Sequence, residues 1–347
     1  MTRARDVADT QDNIGGAVPP FVAGKNRIIN GDFGVNQRGF TSTTSTTTYI
    51  FDRFQTRADD GTSTFSAQTL TPGSIPGYEF KNFLQIDSTG QTLSTARTAF
   101  IQSIESVRTL AGQTATLSFW ARATSGTPSV GAYVSQLFGT GGSAANDTSG
   151  QKVAITTSWA RYSITFAVPS IAGKTIATDG TDTVRFFIFT SAGSFWNTSS
   201  ASLGIQSTTI QFAGIQVEAG SVATPFQTAT GSIQGELAAC QRYYVRFAET
   251  TNSPLYGLGL AYSTTNVIIG MSFPSTMRVI PTSIDFSTLQ LTDYVGAYGI
   301  SNVTLGGDST RNYASIGVTS SGFTQYRPLF LRGNFSSSTY IGFSAEL

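Results

Sequence analysis

The chain of 347 residues has no histidine and one cysteine, Cys240. That excludes a Ser-His-Asp triad, a Cys-His pair, a His-ligated catalytic metal, a Cys-based zinc site and an internal disulfide framework. Paired carboxylates can catalyse without histidine, but none of the 20 acidic residues forms a signature with another. No enzyme is expected. The chemistry that remains is recognition by flat aromatic faces, which pack on sugar C–H faces while a few planar polar groups read hydroxyls. Trp120 is the first candidate, with Ser118 and Arg122 beside it on one side of TATLSFWARA (114–123); if both faces of that strand are buried, Trp120 is core instead. Trp196 sits in SAGSFWNTSS, a loop by composition, and would serve as a binding platform or as an anchor against a neighbouring subunit. Tyr133 is expected to line the same sheet face as Trp120, and Trp159 to be a core or rim residue. Tyr294 and Tyr298 in TDYVGAYG suit contact with a receptor or with another subunit.

The segments that hold these side chains have the period of strands. Charged residues are 12% of the chain while Gly, Ser, Thr and Phe abound, which favours strands and turns over helices. In TATLSFWARA, Ala115, Leu117, Phe119 and Ala121 point one way, and Thr116, Ser118, Trp120 and Arg122 the other. RYSITFAV (161–168) alternates likewise, and VRFFIF (184–189) is apolar on nearly both faces, as suits a central strand. In TIQFAGIQVEAGSVATPF (209–226) the alternation breaks at Ala213-Gly214 and resumes at Ile215, the pattern of a β-bulge. Ile233, Leu237, Cys240 and Tyr244 then fall at helical spacing behind a cap at Ser232, so a short helix is expected. Strand-like segments return from LYGLGLAY to YIGFSAEL. The fold class is therefore all-β: an N-terminal arm over 1–25, an antiparallel jelly-roll β-sandwich over 26–228, a linker helix within 229–247, and a second, smaller β-sandwich over 248–347.

Residues 1–25 are polar and end in AVPPFVAGK, where Pro19-Pro20 cannot continue a helix. Extended, such an arm reaches roughly 80 Å, and it is expected to attach to a partner. A net charge of +1 with scattered arginines leaves no basic stripe for nucleic acid. No apolar run approaches the ~20 residues of a membrane helix, and MTRARDVADT lacks the apolar core of a signal peptide. The Thr/Ser run 41–48 has no evident chemistry and is expected to be a solvated loop or edge strand.

NRIINGDFGVNQRGF (26–40) followed by YIFDRF (49–54) resembles a pattern of bacteriophage tail-fibre and related virion proteins, in which an N-G-D/A-F turn opens a jelly roll and an aromatic-D-R-aromatic strand follows. LSFWARA, SWARYSITFAVP and FAGIQVEAGSVATPFQ resemble later strands of that module, which is similar to carbohydrate-binding jelly rolls fused to glycoside hydrolases. GELAACQRYYVRF and FPSTMRVIPTSIDF resemble the linker helix and C-terminal domain of phage tail proteins. Asn36 stands where these sequences often carry tryptophan. The resemblance implies a non-enzymatic virion protein: a tail fibre or baseplate-associated protein that binds host surface glycan or, alternatively, a capsid decoration or cement protein or a tail adaptor with no ligand. It also implies a location in the virion, contacts with other virion proteins through 1–25, and a homo-oligomer such as a trimer. Jelly rolls of the carbohydrate-binding kind frequently hold a structural calcium ion; Asp32 and Glu218 occupy suitable places for one, and no other cofactor is expected.

Overall fold

A computed structural model describes residues 22–249, 251 and 253–347, so most of the arm read over 1–25 lies outside the described residues. From residue 42 to residue 219 the chain forms two antiparallel sheets packed face to face. One runs β1 (Ser42–Thr43), β3 (Thr62–Thr69), β4 (Asn82–Thr89), β12 (Thr208–Ala219), β6 (Thr114–Ala123) and β10 (Ala160–Ala167). The other runs β2 (Phe54–Asp59), β5 (Arg97–Glu105), β11 (Thr183–Ala192), β7 (Ser129–Leu137) and β8 (Asn146–Asp147), with β9 (Gln151–Ala154) also paired to β7. The alternation in each strand decides what lies between the sheets. Leu117, Phe119 and Ala121 of β6 join Ile210 and Phe212 of β12, and these share a core with Phe100 of β5 and Phe186 and Ile188 of β11. Each of these leucine, isoleucine and phenylalanine side chains contributes roughly 1.5–3 kcal/mol by leaving water. The fold is all-β, as the composition and the period-2 segments imply. The bulge is present too, as a register shift between Ala213 and Gln216 of β12. The Ser/Thr run supplies β1, a two-residue edge strand.

Residues 26–40 form no strand; they bind the start of the sandwich to its end. The Asn26 amide donates to the carbonyls of Ile215 (3.1 Å) and Gln227 (2.9 Å), and its Oδ1 accepts from Ile28 and Val217. Asn30, in the left-handed region at φ 60°, donates to the Val35 and Asp52 carbonyls. Gly31 passes so close to the bulge that a Cβ there would lie 2.1 Å from the Ile215 carbonyl oxygen.

The helix forms over Ile233–Gln241, with the Ser232 side chain accepting from the Gly235 amide at its N-terminus. Its buried side chains are Glu236 and Cys240, while Ile233 and Leu237 are exposed. Of the four residues at helical spacing, Cys240 and Tyr244 are thus inside and Ile233 and Leu237 outside. The reason is polar: Glu236 accepts from the backbone N–H of Asn30 (2.6 Å) and from Thr230 N (2.7 Å) and Oγ1 (2.8 Å), so it is the acceptor that the buried turn needs. Among the described residues no helix is long and apolar enough to cross a membrane.

Beyond it, β13 (Tyr244–Ala248), β22 (Tyr340–Ser344) and β16 (Ser283–Ser287) make a three-stranded sheet. A seven-stranded sheet runs β18 (Ala297–Gly299), β17 (Leu289–Thr292), β21 (Pro328–Gly333), β14 (Leu255–Ala261), β15 (Asn266–Ser272), β20 (Tyr313–Thr319) and β19 (Asn302–Leu305). Val267, Ile269, Ile316, Leu331, Ile341 and Phe343 belong to a core separate from the first.

A buried ionic network joins the two halves. Arg53, 2% exposed and at φ 76°, stacks its guanidinium 3.3 Å from the centroid of Tyr243, pairs with Glu346 and donates to the Ser103 carbonyl. Arg38 stacks 3.6 Å from the centroid of Tyr244 and approaches Asp52 (3.5 Å) and Glu346 (3.4 Å). Gln37 donates both to Asp52 and to the Tyr244 carbonyl. Guanidinium suits such a place because its flat faces stack while its edge donates in a fork. The motifs NQRG, FDRF and QRYY therefore hold the joint together.

Candidate functional site

The face of the β2-β5-β11-β7 sheet that points away from the first core carries a second, smaller buried aromatic cluster whose exposed end is the candidate site. In β11, Val184, Phe186 and Ile188 face the core, which sends Arg185, Phe187 and Phe189 to the other side. Register aligns them in rows. Gln55, Ile101, Phe187 and Tyr133 form one, Arg57, Ala99, Phe189 and Gly131 the next, and Ser103, Arg185 and Ser135 lie on the opposite flank. Tyr133 and Phe187 stack at 4.6 Å with 25° between planes, and Tyr133 and Phe189 at 5.8 Å with 20°. Tyr133 and Phe187 keep 6% and 7% exposure. Trp196 closes one end. It lies 6.2 Å from Phe189, donates its Nε1 hydrogen to the Thr95 carbonyl, and carries the Arg97 guanidinium 4.4 Å from its ring centroid. The short helix Asn197–Ser200 backs this wall, and a Cβ at Gly131 would lie 2.9 Å from the Ser200 carbonyl oxygen.

Three arginines border the rings. Arg97 pairs with Asp59, Arg185 donates from Nε to Ser103 Oγ at 3.1 Å, and Arg57 donates to the carbonyl of its own neighbour Thr56. Burial, followed by the nearby charges of Arg97 and Arg185, pulls the Arg57 guanidinium below its usual range. Burial also pushes the Tyr133 hydroxyl well up, with Asp147 adding to the effect, so that it stays a neutral phenol. A cavity of about 360 Å³ opens beside Arg185, walled by Leu137, Phe138, Thr181 and Arg278.

Tyr133 and Trp196 thus share this region, but Trp120 does not. Tyr133 is on β7 and Trp120 on β6, in different sheets, which corrects the expectation of a common face. Trp120 is half-buried in a small cluster with Tyr78 (5.8 Å), Phe80, Phe83 and Trp159 on the outer face of its own sheet. Its indole nitrogen is buried with no acceptor. Arg122 is held in a ladder across that face: its Nε donates to Gln211 Oε1 at 2.6 Å, and Gln211 donates to Gln85 at 2.7 Å. Phe187, Phe189, Arg57 and Arg185 were not singled out by sequence. The available signal was one arginine inside the apolar run VRFFIF, which marks the face that is not core.

In the second half, Tyr298 donates to Asp293 (3.2 Å) and packs edge-on against Phe323, whereas Tyr294 is 67% exposed, in the left-handed region, beside Phe330. The carboxylates proposed for calcium do not fit it. Glu218 is wrapped in donors, namely Gln216 Nε2 (2.7 Å), Thr224 N (2.9 Å) and Thr224 Oγ1 (2.7 Å), with Lys25 at 3.8 Å. Asp32 accepts from Gly34, and burial raises its pKa. Calcium needs six to eight oxygens, and no three acidic, Cys or His side chains converge among the described residues. The ends that an ion would join are already joined by the Asn26 amide.

No protein-family model matches the chain, and no curated protein is similar to it in sequence. Solved structures similar to part of the chain include a putative sugar binding protein from Bacteroides thetaiotaomicron, at 13% identity, 56% of this chain, all of that chain and a TM-score of 0.36. Another is the enzymatically active domain of tailspike protein 4 from bacteriophage CBA120, at 15% identity, 56% of this chain, 22% of that chain and a TM-score of 0.33. A third is the family 11 carbohydrate-binding module from Clostridium thermocellum, in complex with a mixed-linked tetrasaccharide, at 10% identity, 54% of this chain, 99% of that chain and a TM-score of 0.33. Likeness at this level assigns no function.

Proposed function

We propose that this chain is a non-enzymatic glycan-binding protein of a phage virion, acting in attachment to the host surface. The observation that carries the binding half of this reading is the exposed end of the Tyr133-Phe187-Phe189 cluster, where Phe195, 67% exposed, meets the half-buried Trp196 edge-on at 5.1 Å and Arg97 lies over the Trp196 ring. Such rings present apolar faces and edges to a pyranose, while Arg97 and the serines Ser94 and Ser194 of the adjoining cavity offer donors and acceptors to its hydroxyls. The virion half rests on the resemblance of residues 26–54 and 235–247 to phage tail proteins. Individually weak sites of this kind gain strength through several linked copies.

A glycan array probed with the purified protein tests the binding half. Binding is expected to at least one bacterial surface polysaccharide, with Trp196→Ala and Phe195→Ala each weakening it about tenfold or more. An array without signal, or affinity unchanged in both folded variants, would overturn it. Labelled protein seen at the tail in virion images is the outcome expected for the attachment role; a capsid location would overturn that role.

A further inference from the structure

Most of the large apolar side chains left exposed among the described residues lie beyond residue 254, and several gather on one face. In the seven-stranded sheet, Val267, Ile269, Ile316, Leu329 and Leu331 point into the second core, which sends the residues between them outward. Register sets these side by side. Leu258 of β14 pairs with Phe330 of β21 and with Gly270 of β15, and Leu260 pairs with Ile268 of β15. Leu258, Leu260 and Ile268 are 54%, 49% and 45% exposed. Tyr294 meets Phe330 edge-on at 5.4 Å at one end of the row. At the other end Tyr313 reaches over Gly270, where a Cβ would lie 2.0 Å from the Tyr313 hydroxyl. β14, β15 and β20 contain no charged residue, and Arg332 of β21 leans on Phe335 (5.2 Å) beside the patch.

We infer that this face is covered by the same face of a second copy of the chain, the two sheets stacked about a two-fold axis. The exposed area of these six side chains, roughly 500 Å², is of the size that marks an interaction site. Val295, next to Tyr294, and Tyr326, whose amide bonds to the Ala261 carbonyl beside Leu260, are 79% and 72% exposed. They extend the patch toward the roughly 800 Å² that each partner gives a stable complex. Composition selects the partner. Interfaces between different proteins are about as polar as the rest of the surface, whereas those between identical subunits are more apolar. A face without charge also meets its own image without like-charge repulsion. Two identical patches that meet face to face are related by a two-fold axis, and stacked sheets settle about 10 Å apart. Pairing also places two copies of the Trp196 site on one assembly, the linkage from which weak sites gain strength. The contact does not depend on what that site binds.

Light scattering on the full chain as it leaves a sizing column, across a dilution series, tests this. Two chains per assembly are expected at micromolar concentration. Leu258→Lys and Ile268→Lys set like charges against each other across the axis and should each weaken the pair about tenfold or more. Leu260→Ser should weaken it in the same direction without adding charge. Val222→Lys, at an exposed valine in the first half, should leave the pair intact. All four positions are exposed, and thermal melts that match the unaltered chain show that the variants have folded. An unaltered chain that stays monomeric at every concentration would overturn the pairing and leave the face to a different partner. A three-chain assembly would overturn the two-fold arrangement. An association that survives both lysine variants at 258 and 268, or that Val222→Lys dissolves equally, would place the contact elsewhere and overturn it as well.

Discussion

Tyr133 and Phe187 stack at 4.6 Å from adjacent strands, on a sheet that does not contain Trp120. The two aromatic groups therefore make opposite predictions. Trp196→Ala, at the exposed end of the Tyr133 cluster, should weaken glycan binding, whereas Trp120→Ala should leave it unchanged and lower stability by about 3 kcal/mol, the low end for an aromatic packed among aromatics. Chemical denaturation beside glycan binding separates the two.

Arg53 and Glu346 form a buried pair across the joint. Arg53→Met leaves the Glu346 carboxylate with Arg38 alone (3.4 Å) and should cost about 3 kcal/mol, while Arg53→Met with Glu346→Gln should recover much of that loss. A double-mutant cycle in urea reads the coupling, and simple additivity would show that the pair is not coupled.

Asp52 provides a pH dependence. Burial pushes its pKa up to about 6, against the lowering by Arg38 and Gln37, from the usual 3.8. The folded state then holds this proton more tightly than the unfolded state. Its contribution is full below pH 3.8 and is lost as pH rises through about 6, an effect of order 3 kcal/mol. Asp52→Asn should flatten the part of the stability-versus-pH curve that lies between these values.

Gly31→Ala should be severe. The added carbon would lie 2.1 Å from the Ile215 carbonyl oxygen, backbone that is itself fixed by the Asn26 amide and by the Gly31 carbonyl. A loss of about 3 kcal/mol or more, or failure to fold, is expected; a near-native melting temperature would show that the bulge yields.

Because Glu218 is enclosed by donors and Asn26 ties the first turn to the last strand, a chelator should leave the thermal midpoint unchanged. A drop on chelation, reversed by calcium, would show a metal held by backbone oxygens.

Much of the architecture was legible because period-2 alternation is a local property. TATLSFWARA assigns Leu117 and Phe119 to one face wherever the strand is placed, and the break at Ala213-Gly214 marks the bulge without any partner. The helix was legible in position but not in orientation. Spacing treats Ile233 and Leu237 as the inner face, yet the acceptor Glu236 is buried because a turn some 200 residues earlier needs it.

The sequence by itself determined an all-β protein without histidine chemistry, rich in aromatic faces and poor in charge. Tertiary structure decided which aromatic side chains meet and which stay exposed. Alternation names two faces of each strand, but which is covered depends on strands distant in sequence. Trp120 met the segment carrying Tyr78 and Phe80, whereas Tyr133 met Phe187, with Arg57 and Arg185 on neighbouring rows. Tertiary contact likewise placed NGDF, NQRG and FDRF, read from sequence as the opening turn and strand of a jelly roll, in the buried polar joint of the molecule. Their asparagines and arginines carry more donors than a single strand or turn can satisfy, and acceptors for them appear when the final residues and the helix fold back onto the first.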